Sequence, residues 1–326
     1  MGSKISGTGM YVPHTVISNS FLESTVVGVN DEWTKLKLGI SERRKAAPHE
    51  STLDFAYIAA MKALIRANVE VKDIDMIIVA TITPSKPAPS TACRLAHMLG
   101  SSAPAFDLAA VCSGFYFAMI TANQFIKAGK YKNVLIIGGD TFSRITDWSR
   151  RDCVFFGDGA GAIVLSASEE KGTGFLSEVL YSDGNDEDSF YIPAGGSSTP
   201  LTHDLLEKKS NTWIMDPKKV YAKAMNVLPS VILEALEKAK VTEKDIKFII
   251  PHQPSLSLLK DVAKKANIPF SKVLHNMDKY ANTGAGTIPI LLDETVRAEK
   301  IQKDDLIVFA TIGAGWVWGA GVFKWS

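Results

Sequence analysis

The sequence predicts an α/β protein built from two related halves, and three observations carry that reading. Short apolar runs rich in β-branched residues alternate with stretches of helical periodicity, the pattern of sheets covered by helices. One segment recurs: Lys72-Asp73-Ile74-Asp75-Met76-Ile77-Ile78 returns 172 positions later as Lys244-Asp245-Ile246-Lys247-Phe248-Ile249-Ile250. The same register extends both ways, with Ala63-Leu64 falling on Ala235-Leu236 and Val134–Ile137 on Leu306–Phe309. We therefore expect one half over residues 1–171 and a second over 172–326, stacked as layers of helix and sheet.

The elements follow in order. Lys4–Thr8 reads as a first strand turning at Gly9. Thr52–Ala67 has apolar residues at helical spacing and opens after Ser51, a suitable cap. Met76–Ala80 is a short run typical of a strand buried on both faces. Ala105–Val111 is another, Ser113–Ala128 is helical and stops at Gly129, and Val134–Ile137 is a further buried strand. In the second half, Val220–Ala239 and Leu256–Ala266 read as helices, Phe248–Ile250 and Leu306–Ala310 as strands. Ser182–Asp216, rich in Gly, Ser, Asp and Pro, breaks the alternation and reads as an excursion over a substrate entrance.

Composition narrows the function classes. The 326 residues are 46% hydrophobic and 22% charged, ordinary for a soluble globular protein. A net charge of +1 gives no bulk electrostatic reason to bind nucleic acid or an anionic membrane. No run of about 18 apolar residues suggests a spanning helix, and the N-terminus does not read as a signal peptide. Cys93, Cys112 and Cys153 are too few and too scattered for a disulfide framework or a zinc site, which points to a reducing, cytoplasmic setting.

Cys112 sits where the strand Ala105–Val111 meets the helix Ser113–Ala128. A helix N-terminus favours a thiolate, and its free N–H groups can hold an oxyanion. A cysteine merely packed at an element junction would carry the same signature. The position 172 further on is Gly284, inside Asn282-Thr283-Gly284-Ala285-Gly286, so the second half keeps the turn but lacks the nucleophile. His252 follows a strand directly, in Pro251-His252-Gln253-Pro254. A cysteine, a histidine and an asparagine thus lie at strand ends, where open α/β sheets bind ligands. The stretch Gly157–Gly161 lacks the Lys-Ser/Thr of a phosphate loop and is better read as tight packing.

These motifs carry a resemblance. Phe106-Asp107-Leu108-Ala109-Ala110-Val111-Cys112-Ser113-Gly114-Phe115 resembles the nucleophile motif of the ketoacyl-ACP synthase III family, in the thiolase superfamily. Phe156-Gly157-Asp158-Gly159-Ala160-Gly161-Ala162 is similar to its glycine-rich signature. Pro251-His252-Gln253 and Asn282-Thr283-Gly284 resemble its histidine and asparagine motifs, and Gly313–Ala320 its C-terminal loop. Asn30-Asp31-Glu32-Trp33 and Gly39–Arg44 are similar to its N-terminal region. The resemblance implies a thiolase fold, a homodimer, no tightly bound cofactor, and a Cys112–His252–Asn282 triad. It implies that an acyl-CoA acylates Cys112 and that a malonyl thioester on acyl carrier protein then loses carbon dioxide and attacks the acyl group. His252 and Asn282 would hold the malonyl thioester oxygen. The N–H groups of Cys112 and Ala314, in the loop Gly313-Ala314-Gly315, would serve the acyl-transfer oxyanion.

Residues around the entrance depart from the family pattern. By resemblance, Trp33 and Arg150 would sandwich adenine, with Lys37 where an arginine is usual. Phe155, Phe156, Met215 and Tyr221 are expected along the substrate tunnel. Ser255, in Gln253-Pro254-Ser255, replaces an asparagine that holds the pantetheine arm, Ser257 replaces a carrier-binding arginine, and Pro217 stands for a small glycine. Ala88 replaces a bulky residue that in some members crosses from the partner subunit to close the acyl pocket, which implies room for longer chains. These departures point to a specialised paralogue, with secondary metabolism as one setting. The alternatives are an acyltransferase or thioesterase on the same fold, and a catalytically silent dimer partner.

Overall fold

A computed structural model describes residues 2–326. Gly2–Tyr11 (β1), Met76–Ala80 (β2), Ala105–Leu108 (β3), Asn133–Thr141 (β4) and Asp158–Ser168 (β5) form a five-stranded sheet ordered β1-β5-β4-β2-β3. Gly174–Ser182 (β6), Ile246–Pro251 (β7), Leu306–Gly313 (β8) and Val317–Lys324 (β9) form a second sheet ordered β6-β9-β8-β7. The two orders correspond strand for strand. β2 runs parallel to β4 and β7 parallel to β8, while β1–β5, β4–β5, β6–β9 and β8–β9 are antiparallel. Only β3 has no counterpart; the equivalent stretch, Met277–Tyr280, is helical. The pseudo-symmetry expected from the recurring segment is thus a repeat of topology.

Six helices cover the sheets: Thr52–Ala67 (α1), Thr91–Leu99 (α2), Gly114–Lys127 (α3), Pro217–Ala239 (α4), Leu256–Lys265 (α5) and Thr287–Arg297 (α6). Alternation along β2 sorts them into layers. Ile77 and Val79 face α1 and α2, whereas Ile78 and Ala80 face a central layer containing α3 and α6. Ile249 and Val308 face α4 and α5 on the far side. Both faces of each sheet are therefore covered, which is why the central strands read as unbroken apolar runs. α1 opens on a capping box between Ser51 and Asp54 and closes at Asn68, which takes the left-handed conformation (φ 51°).

Two expectations are corrected. β1 does not turn at Gly9 but continues to Tyr11. A Cβ on Gly9 would lie 2.2 Å from the Ala59 carbonyl oxygen, and one on Gly7 would lie 2.3 Å from that of Ala63. These glycines allow α1 to lie against the strand rather than marking a turn. The strand at Ala105 ends at Leu108, because Val111–Ser113 forms a 3₁₀ turn with Val111 at φ 47°. Gly157–Gly161 enters and runs along β5, and a Cβ on Gly161 would meet Pro289 of α6 at 2.6 Å, in keeping with the packing reading. Among the described residues, no helix is long and apolar enough to cross a membrane.

Candidate active site

Three loops from both halves converge on Cys112. The first is its own turn, Val111–Ser113, in the connection between β3 and α3. The turn is tied to the second half: Thr311 Oγ1 donates to the Cys112 carbonyl (3.3 Å), and Ser113 Oγ donates to the Val317 carbonyl (3.0 Å). Gly313 lies against it, since a Cβ there would stand 3.1 Å from the Cys112 backbone nitrogen. The second loop carries His252, immediately after β7; its N–H donates to the Ala310 carbonyl (2.9 Å). The ring Nδ1 lies 2.8 Å from Thr287 Oγ1. The third carries Asn282. Its N–H donates to the Phe155 carbonyl and its carbonyl accepts from Gly157 N–H, both at 2.9 Å, so it joins the entrance to β5 like a short parallel strand. Its side-chain oxygen accepts from Gly284 N–H (2.9 Å).

One cavity of about 380 Å³ is lined by all three of these side chains. Of the residues singled out in the sequence, Trp33, Lys37, Phe155, Phe156, Met215, Pro217, Tyr221, Ser255, Ser257, Gly313 and Ala314 also line it. Ser255 caps α5 by accepting from Leu258 N–H (3.4 Å). Three others do not line it. Gly315 is exposed, in the turn between β8 and β9. Ala88 is exposed in the loop before α2, outside its own subunit's cavity. Arg150 pairs with Asp152; it is the neighbouring Arg151 whose guanidinium lies 4.4 Å from the centre of the Trp33 ring. Residue spacing alone could not separate two adjacent arginines, because backbone direction decides which one reaches the ring.

Phe190, which residue type and spacing did not mark, lines the cavity together with Trp316 of the loop Gly313–Ala320. Behind Phe156, Phe142 and Trp213 complete an aromatic cluster, with Phe190 and Trp213 centroids 4.5 Å apart and Phe142 and Phe156 5.5 Å apart. The segment Ser182–Asp216 supplies Phe190, Trp213 and Met215, so the excursion forms a wall of the site. Asp140, at the end of β4, is fully buried. It accepts from Thr81 Oγ1, Ile82 N–H and Thr83 Oγ1 at 2.9 Å, and from Ala285 N–H at 2.9 Å, gripping the turn that follows Asn282.

The electrostatics differ from the thiolate expected of a helix N-terminus. Burial pushes the Cys112 thiol well above its ordinary range and the Asp140 charge adds to this, while a hydrogen bond from the Asn282 side chain works in the opposite direction. Burial lowers His252 to about 3. Both shifts favour the neutral forms, thiol and imidazole, of the two groups on this cavity.

Comparison with known proteins places this geometry. The profile described as 3-oxoacyl-[acyl-carrier-protein] synthase III matches residues 106–184, and its C-terminal companion matches residues 236–325. The beta-ketoacyl-[acyl-carrier-protein] synthase III of Caldanaerobacter subterraneus is 43% identical over 99% of this chain and 97% of its own. The chain belongs to the 3-oxoacyl-ACP synthase III family. Among solved structures, the 3-oxoacyl-[acyl-carrier-protein] synthase III of Aquifex aeolicus is 39% identical, with a TM-score of 0.91, covering 99% of this chain and 100% of that one. The priming β-ketosynthase of the R1128 polyketide pathway is 28% identical, with a TM-score of 0.91, over 99% and 96% of the two chains. The synthase III chain thus has the thiolase fold that the motifs implied.

Proposed function

We propose that this synthase III joins an acyl group from an acyl-CoA to a malonyl unit carried on acyl carrier protein. The observation that carries the reading is the meeting of Cys112, His252 and Asn282 on one largely apolar cavity, assembled from both halves of a chain in this family. Cys112 Sγ attacks the thioester carbonyl; the carbon–sulfur bond to coenzyme A breaks, and the thiol proton ends on the departing sulfur. Splitting condensation at a covalent acyl-enzyme gives two easier steps. Backbone N–H groups of Cys112 and Ala314 would face the first oxyanion, with Gly313 and Gly315 shaping the loop that presents Ala314. The malonyl carbon–carbon bond then breaks, carbon dioxide leaves, and negative charge develops on the thioester oxygen. A preorganised donor at such an oxygen is worth about 2.7–4 kcal/mol, the role assigned here to His252 and Asn282. The enolate carbon attacks the acyl-cysteine, releasing the β-ketoacyl thioester and restoring Cys112.

Trp33, Lys37, Tyr221 and Ser255 would flank the incoming carrier arm, and Phe155, Phe156 and Met215 the acyl group. Arg150 is the arginine the resemblance assigns to adenine with Trp33; Arg151 stacks directly on the Trp33 ring, with no gap for a base between them. We also read the chain as a homodimer in a reducing cytoplasm, divided at residues 171/172 and needing no tightly bound cofactor. β3 ends its sheet, and Phe106 on it is 38% exposed, a surface suited to a second copy. Ala88, on the exposed loop before α2, would then approach the partner's site. The departures at the mouth favour a specialised member of the family. Mass analysis of products from acyl-CoA and malonyl-ACP tests the reading. A new β-ketoacyl thioester supports it, and transfer or hydrolysis of the acyl group without carbon dioxide release refutes it.

A further inference from the structure

We propose that Thr287 is a positioning residue whose hydroxyl selects the ring tautomer of His252 needed for the malonyl half-reaction. The inference rests on the condensing function proposed above. Thr287 is the first residue of α6 and is 2% exposed. Its Oγ1 has two polar neighbours: His252 Nδ1 at 2.8 Å and the Gly284 carbonyl oxygen at 3.1 Å. A hydroxyl has one proton to donate, so only one neighbour receives it. The Gly284 carbonyl already accepts the backbone N–H of Thr287 itself. Among the described residues Nδ1 has no such second partner, and it is the closer of the two. We assign the hydroxyl proton to Nδ1 on the shorter contact and on the N–H partner the Gly284 carbonyl already has; the opposite arrangement, Nδ1–H donating to Oγ1 and Oγ1–H to the Gly284 carbonyl, is the one the tautomer measurement below distinguishes.

That choice has a chemical consequence. A neutral imidazole carries one proton, and an Nδ1 that accepts leaves Nε2 protonated. With Nδ1 turned to Thr287, Nε2 is the nitrogen left for the cavity that His252 shares with Cys112 and Asn282. His252 then presents an N–H where the malonyl thioester oxygen gains charge. The opposite tautomer would present a lone pair to that oxygen and repel it. Burial disfavours protonating both nitrogens, so the ring cannot escape the choice by becoming imidazolium. Acylation of Cys112 makes no demand for an Nε2–H donor, since the thiol proton leaves with coenzyme A.

The test compares Thr287→Val, which keeps the shape without the hydroxyl, with Thr287→Ser, which keeps the hydroxyl. Each is assayed in two separate reactions: acylation of Cys112 by acyl-CoA, and carbon dioxide release from malonyl-ACP. Thr287→Val is expected to lower carbon dioxide release at least about tenfold, toward the roughly hundredfold effect of losing one preorganised donor, while acylation changes less than threefold. Thr287→Ser should restore carbon dioxide release to within threefold of the parent. Equal loss in both reactions, or a serine variant as impaired as the valine one, overturns the proposal in favour of simple packing. A second measurement needs no substrate and no folded variant at position 287. In protein labelled with ¹⁵N-histidine, resonances assigned through His252→Gln should show Nε2 protonated and Nδ1 bare. The reverse assignment also overturns it. A parent enzyme that never releases carbon dioxide refutes the proposed function instead, and leaves the tautomer measurement to judge Thr287 separately.

Discussion

Asp140 offers a quantitative test of the site's electrostatics through Asp140→Asn. In the folded protein burial raises this carboxyl from 3.8 to about 6, against the opposing effect of the hydrogen bonds from Ala285, Ile82, Thr81 and Thr83. The sign follows from proton linkage. Between the unfolded and folded values, the folded state holds a proton that the unfolded state has lost, so stability falls as pH rises. The contribution is fully present below 3.8 and lost through about 6. A shift of about 2 units corresponds to about 3 kcal/mol over the whole window, of which about 1 kcal/mol falls between pH 5 and pH 7. An asparagine cannot titrate there, so the variant lacks this slope. It should also lose the charge-assisted bond to Ala285 N–H, worth about 1.5–3 kcal/mol, because an amide offers only one oxygen. The assay is urea unfolding of both proteins at pH 5, 6, 7 and 8. The stability of the parent relative to the variant should decline by about 1 kcal/mol from pH 5 to pH 7 and then level off. A flat or rising difference would refute the picture of a buried carboxylate ionised at a cost. Removing the charge should also move alkylation of Cys112 by iodoacetamide to lower pH, since Asp140 helps raise that thiol.

Four shorter tests address other parts of the structure. Cys112→Ser should abolish the one-acyl mass increase on incubation with acyl-CoA, and adducts persisting on Cys93 or Cys153 would contradict the assignment. His252→Ala should still acylate Cys112 yet release carbon dioxide from malonyl-ACP about 100-fold more slowly; loss of acylation with decarboxylation intact would reverse the roles. Gly9→Ala should destabilise by about 3 kcal/mol or more, the upper range for overpacking, because its Cβ would meet the backbone of α1 at 2.2 Å. Gly100→Ala, at φ 74° with open space around it, should cost only the left-handed strain of about 1–2 kcal/mol, and equal effects in urea would show that the close approach is wrong. Phe190→Ala should raise acylation by decanoyl-CoA relative to acetyl-CoA, because Phe190 joins the aromatic cluster to the cavity wall. If the cluster limits chain length against the longer chains suggested by Ala88, this change appears; an unchanged preference would locate the limit elsewhere, for example across a subunit boundary.

The α/β class and the duplicated plan were legible because both are written in periodicity. A strand buried on two faces must be apolar throughout, as Met76–Ala80 is, and its counterpart Phe248–Ile250 obeys the same rule 172 residues later. Cys112, His252 and Asn282 could be placed at element ends from the pattern, and the family resemblance grouped them; the structure brings all three to one cavity. What the sequence could not convey was set by distances between segments far apart in the chain. Gly9 read as a turn, since a glycine kept small for a neighbouring helix looks the same as one kept flexible. That Arg151 stacks on Trp33 while its neighbour Arg150 pairs with Asp152 follows only from the course of the backbone. The thiolate expected at a helix N-terminus is a local inference; burial of Cys112 and the Asp140 charge reverse it, and both arise only when β4, α3 and the Asn282 turn pack together. Residue type and spacing therefore singled out the groups proposed for the chemistry, while the tertiary structure sets the direction of their pKa shifts, because desolvation is a property of the assembled interior and not of any segment within it.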